Sequence, residues 1–164
     1  MAYDYFEKGC NLEEPDSCLH QGLLLITKND RPELQHDVVK GMQLLDKACT
    51  GKNANACYYL SGMYIMGVRK TDAVSNPDKS KTDEFEVPKS MKKAFQYALD
   101  GCTLGNIYSC ANLSQMYAKG DGECLSVLKK NPELAEKYKG IALEMQKDVQ
   151  DNKTLSFQEG LPAT

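Results

Sequence analysis

Apolar residues recur at intervals of three and four along most of the chain, the signature of helices with one buried face. The clearest stretch is 89–120. Met91, Ala94, Phe95, Ala98 and Cys102 make one stripe; Cys110, Leu113, Met116 and Tyr117 make another. Between them GCTLGN supplies the glycines and asparagine that stop one helix and start the next. Upstream, Val38, Met42, Leu45, Ala48 and Cys49 predict a helix over 37–50, and Cys57, Leu60, Met63 and Tyr64 predict its partner over 55–66. Tyr3, Phe6 and Cys10 predict a short helix over 3–11, followed by another from Ser17 to about Lys28 that Pro32 closes off. Asn131, Pro132 and Glu133 form a strong helix start, and Leu134, Tyr138, Ile141, Met145 and Val149 carry that helix to about 149.

Two interior glycines qualify the pattern. Gly41 costs its helix about 1 kcal/mol against alanine, which packing must offset. Gly62 is expected to mark a close approach between neighbouring helices. The polar, charged stretch 68–87 breaks the periodicity and reads as an inserted surface loop. Residues 151–164 read as a flexible polar tail.

The cysteines add an order that the periodicity lacks. Cys10 and Cys18, Cys49 and Cys57, and Cys102 and Cys110 are each separated by seven residues. In each case the first falls in the last turn of one helix and the second in the first turn of the next. Those turns lie side by side in a helix hairpin, within the ~4.4–6.8 Å Cα separation of a disulfide. The bland alternative is six reduced thiols buried as small core residues. The common spacing favours three hairpins stapled at their closed ends. Cys124 is left over, either as a free thiol or as the partner of a cysteine elsewhere; from sequence neighbours alone, Asp121 and Glu123 are expected to disfavour its thiolate and Lys129 and Lys130 to favour it.

Overlaid, YDYFEKGCNLEEPDSCLHQGLLL, MQLLDKACTGKNANACYYLSGMYIMG and FQYALDGCTLGNIYSCANLSQMYAKG are one repeating unit. The unit resembles the Sel1-like repeat, a relative of the tetratricopeptide repeat, in its cysteine-rich variety. The resemblance implies an all-α solenoid in which each hairpin is closed by a disulfide. Residues 1–150 then form one repeat domain: repeats at about 1–31, 35–67 and 88–120, the loop 68–87, and a capping helix 133–149. Tyr3 and Phe6 sit where a preceding repeat would pack, so self-association through the first repeat is expected.

CTLGNIYSCANLSQMYAKGDG, a charged last helix and a tail with LSF resemble the C-terminal repeats of a family of cytochrome c oxidase assembly factors of the mitochondrial intermembrane space. That resemblance implies a role in biogenesis of respiratory-chain complex IV through protein partners, with oxidative import into that compartment. It also implies non-covalent haem as a candidate cofactor, with His20, Met116 or a cysteine as axial ligand. Two alternatives stand beside it. One is an enzyme on the same scaffold, a thiol–disulfide reductase or a β-lactamase-like hydrolase. The other is a generic Sel1 adaptor.

Composition narrows these classes. Twenty basic and 23 acidic residues give a net charge of −3, which offers no footprint for nucleic acid or anionic membrane. Leu23–Ile26 is the longest aliphatic run, far short of a membrane span. The opening MAYDYFEKG is acidic and helix-like, so neither a secretory signal nor an Arg-rich transit peptide is expected. His20 and His36 are the sole histidines and no CxxC or HExxH occurs, which leaves no metal motif and no catalytic residue to nominate. Tyr58, Tyr59, Tyr64, Tyr97, Tyr108 and Tyr117 suit either packing between repeats or an aromatic groove.

Overall fold

The computed structural model describes residues 2–27, 36–70, 85–120 and 129–159. Among these, seven helices form three hairpins and a closing helix. Helices α1 (Ala2–Asn11), α3 (Val38–Thr50) and α5 (Met91–Thr103) each turn tightly into a partner: α2 (Pro15–Ile26), α4 (Ala54–Met66) and α6 (Ile107–Lys119) respectively. Helix α7 (Pro132–Glu159) follows.

Short polar side chains set the helix starts. Asp37, Asn53, Ser90 and Asn106 each accept the backbone N–H three residues on, satisfying a donor that the first turn would otherwise leave open. Asn131 does the same for Leu134, with Pro132 opening α7. The three hairpin turns are the same object. Glu13, Lys52 and Gly105 take the left-handed conformation, and the next residue's N–H returns to the carbonyl of Gly9, Ala48 or Gly101. Disulfides close all three hairpins, with Cα separations of 4.5 Å for Cys10–Cys18, 4.9 Å for Cys49–Cys57 and 4.6 Å for Cys102–Cys110.

Consecutive hairpins join through a second recurring geometry. The second helix of each packs on the helix that follows: α2 on α3, α4 on α5, α6 on α7. At each joint the capping residue of the incoming helix donates its N–H across the gap. Asp37 reaches the Leu25 carbonyl at 3.0 Å, Ser90 reaches Tyr64 at 2.9 Å, and Asn131 reaches Tyr117 at 2.7 Å. One turn along, Ser61 Oγ donates to the Ala94 carbonyl at 2.8 Å, and Ser114 Oγ to that of Ala135 at 2.7 Å. The first joint has glycines at those positions. A β-carbon on Gly22 would stand 2.7 Å from the Gly41 carbonyl oxygen, so the helices approach backbone to backbone there. That contact explains the glycine inside α3.

The core runs along these joints in two parts. One lies under the first two hairpins around Leu45, Leu60 and the Cys10, Cys18 and Cys57 side chains; the other lies between α5, α6 and α7 around Ala94, Ala98 and Leu113. Tyr64 packs against both.

Three expectations change. A β-carbon on Gly62 would meet nothing within 4 Å, so the close approach belongs to Gly22 and Gly41 instead. The stretch read as a loop begins and ends in strands: β1 (Val68–Arg69) pairs antiparallel with β2 (Phe85–Val87), Val68 opposite Val87. Residues 71–84 lie outside the described residues. The last helix does not stop near 149; it continues to Glu159 through the region read as tail. No glycine or proline interrupts 141–159, so nothing in that stretch forces a break.

Candidate functional site

The cysteine pairs are placed to hold hairpins shut. Cys10, Cys18, Cys57 and Cys110 are buried to 1% exposure or less, and Cys49 and Cys102 show only a sliver of surface. Thiol–disulfide exchange needs a thiolate to reach a sulfur, and these sulfurs sit inside the repeat core. A neighbouring small pair allows the close approach. Gly9 faces Ser17 and Gly101 faces Ser109, each one residue before its cysteine, while buried Ala48 and Ala56 hold the same places in the second hairpin. Cys124 lies outside the described residues.

The tyrosines divide between the two roles their spacing allowed. Tyr64 stacks on Tyr97 and Tyr117 on Tyr138, each pair spanning a joint with planes within 7° of parallel. Tyr58 packs against both Tyr59 and Tyr108, and the latter two are exposed on the outside of the second helices. Burial and then the hydrogen bond to Asp46 at 2.6 Å push the Tyr97 phenol above its ordinary value of 10.0; burial and Tyr138 raise Tyr117 in the same direction.

Two surface clefts accompany these joints. One of about 350 Å³ lies beside the Asp46–Tyr97 hydrogen bond, between α3, α4, β2 and α5, with Met42 and Leu60 at its base. The other, about 480 Å³, lies between α6 and α7. Ile107, Tyr108 and Ala111 form one wall; Lys139, Ala142 and Leu143 form the other.

Neither cleft suits the haem that the sequence resemblance implied. His20, Met116 and the six paired cysteines line neither of them. His20 is exposed with its ring against Phe6, Met116 is buried in the core, and the cysteine sulfurs are bonded to one another. His36 bonds the Ile26 carbonyl at 2.8 Å. Among the described residues, the side chains that the resemblance offered as ligands do not assemble an axial-ligand site. No group of three metal-binding side chains occurs among the described residues, and no described helix is long and apolar enough to cross a membrane. Sequence periodicity missed the second cleft: Ala142 lies on the stripe with Tyr138, Ile141 and Met145 and reads as ordinary core, and only Leu143, apolar and off the stripe in a charged helix, signals a second apolar face.

The architecture matches solved structures. A Sel1 repeat protein from Oxalobacter formigenes superposes with a TM-score of 0.64 over 87% of this chain and 48% of its own, at 20% identity. Helicobacter pylori cysteine rich protein B superposes with a TM-score of 0.55 at 26% identity, covering 88% of this chain and 85% of its own. The fold is thus a Sel1-repeat solenoid, although no family model matches the sequence. Among curated proteins, a Drosophila melanogaster protein named cytochrome c oxidase assembly factor 7 homolog is 48% identical over 177 residues, spanning 98% of this chain. The chain is a homologue of the cytochrome c oxidase assembly factor 7 proteins. Cytochrome c oxidase assembly factor 7A of Xenopus laevis is 33% identical over 96% of this chain. The chain spans 65% and 61% of the lengths of these two relatives.

Proposed function

We propose that the chain supports assembly of cytochrome c oxidase in mitochondria as a disulfide-stapled scaffold that binds protein partners. The observation that carries this is the 48% identity, over nearly the whole chain, to a protein named for that role. The geometry supports a scaffold. Six of its seven cysteines are spent on closing hairpins, and Ser61 and Ser114 bond helix carbonyls across the joints. What remains on the surface is helix face, groove and exposed tyrosine, the means by which repeat proteins bind other chains.

The compartment proposed is the intermembrane space. Three structural disulfides need an environment that keeps thiols oxidised, which the cytosol does not provide. A reductase reading would need an accessible thiolate of lowered pKa, and the buried pairs do not offer one.

The test is fractionation of mitochondria with thiol trapping, alongside cytochrome oxidase activity in cells lacking the gene. Oxidised protein in the intermembrane space together with falling activity is the expected result. A fully reduced cytosolic pool, or unchanged oxidase activity, overturns the reading.

A further inference from the structure

Helix α7 occupies the place of a first helix in a fourth repeat, not that of a lid. The repeat register leaves little room for another view. The Ser114–Ala135 hydrogen bond, the Tyr117–Tyr138 stack and the Asn131–Tyr117 backbone bond reproduce Ser61–Ala94, Tyr64–Tyr97 and Ser90–Tyr64 at the joint before. In that register Ala142 stands where Gly101 does, Leu143 where Cys102 does, and Lys139 where Ala98 does.

Each earlier groove of this type is filled by a helix. The groove between α2 and α3 receives α4, and the groove between α4 and α5 receives α6. The incoming helix sets a small residue, Ala56 or Ser109, against Ala48 or Gly101. The groove between α6 and α7 has the same small floor, since Ala142 is 8% exposed, but no helix covers it among the described residues. A capping helix would present a polar outer face there. Instead Leu143 is 57% and Tyr108 66% exposed.

The chain itself leads away from this seat. Earlier first helices turn back after Asn11, Thr50 and Thr103, whereas α7 continues through the matching Glu144 to Glu159, about 22 Å farther along its axis. With Leu143 in place of a cysteine, no staple holds the occupant. The remaining difference is charge: Lys139 stands where the filled groove has a buried alanine. Its ion pair to Glu136 on its own helix is a long, exposed contact of 3.8 Å, which an incoming carboxylate could replace at little cost.

We propose that the α6–α7 groove is a docking site for an amphipathic helix of a partner protein, seated as α6 is seated on α4 and α5. The occupant carries Gly, Ala or Ser opposite Ala142, apolar residues toward Ile107, Ala111 and Leu143, and an Asp or Glu one turn further on, opposite Lys139. This rests on the scaffold reading and deepens it by naming a surface and a kind of partner. Binding is read with purified components, so its failure leaves the assembly role untouched, and loss of that role leaves the groove untouched.

The probe is a peptide of residues 105–120 of this chain with Cys110→Ala and Asn112→Glu, the latter one turn beyond Ser109 on the face that meets the first helix. It is crosslinked on its outer face and checked by circular dichroism to be helical. Fluorescence anisotropy with the oxidised full chain should show saturable binding. Leu143→Glu sits on the surface, so the fold should persist by circular dichroism while affinity falls at least about tenfold, as a carboxylate is forced against apolar contacts. Lys139→Glu should shift preference from the Asn112→Glu peptide to an Asn112→Lys peptide. Absence of saturable binding, equal binding by the Leu143→Glu protein, or no charge preference overturns the proposal. So does a dimer in sedimentation that Leu143→Glu dissociates, because the occupant would then be a second copy.

Discussion

Gly101 and Ser109 meet across the closed end of the third hairpin so tightly that a β-carbon on the glycine would stand 2.9 Å from the serine Cβ. Such a contact admits one side chain, not two. Gly101→Ala should cost ~1–3 kcal/mol through overpacking, read as a lower denaturant midpoint. Ser109→Ala should be nearly neutral, since the Ser109 hydroxyl is buried without a hydrogen-bond partner and Ala56 holds the matching place. The double variant should recover part of the loss, because Ala48 and Ala56 coexist in the second hairpin. Strict additivity of the two changes would contradict this account.

The staples make a separate prediction. Each closes a nine-residue loop, and the chain-entropy model assigns about 2.6 kcal/mol to each. Reduction, or paired Cys→Ala replacement at one hairpin, should lower stability by that order in denaturant titrations. Peptide mapping without reductant should recover crosslinks between cysteines eight apart and between no others among the six. Alkylated Cys49 and Cys57 from unreduced protein would refute the staple in the second hairpin.

Tyr97 links stability to alkaline pH. Burial and the bond to Asp46 raise its pKa in the folded state above the ordinary value of 10.0. A raised value means the fold favours the protonated phenol. This contribution is fully present below about pH 10 and is lost as pH climbs through the folded value. Ultraviolet titration should therefore show late-ionising tyrosines, and Tyr97→Phe should remove one of them and leave the signal of Tyr117. An undiminished late signal in that variant would refute the assignment to Tyr97.

At the other end of the stack, Tyr5 and Leu12 are 72% and 79% exposed, while Tyr3 accepts a bond from Gln21 and Phe6 leans on His20. The apolar edge of the first hairpin is thus partly covered from within. Replacing Tyr5 and Leu12 by serine should raise the monomer fraction in sedimentation at high concentration. An unchanged distribution would show that this edge does not associate.

What the sequence made legible was local. Helix starts at Asp37, Asn106 and Asn131 follow from short polar side chains, and the staples follow from one repeated spacing. Contacts between repeats were harder to read. Gly22 and Gly62 look alike in a helical pattern, and only the partner helix decides which one touches a neighbouring backbone. The pairing of Val68 with Val87 depends on residues 19 positions apart, in strands too short to show alternation. The α6–α7 groove stayed hidden because α7 reads as charged overall, and its vacancy shows only when Ala142 is set beside Gly101.

The disulfides also determine how the molecule would behave under tension. All three join residues within one hairpin, and none crosses a joint between hairpins. Pulled from its ends, the oxidised chain should part first between hairpins, where apolar packing, hydrogen bonds and stacked rings make the ties and none of the three disulfides crosses. Each hairpin tip would survive as a covalent ring that withholds roughly 20 Å of extension from the stretched chain. The molecule is mechanically a string of locked clasps, stiff at each link and separable between links.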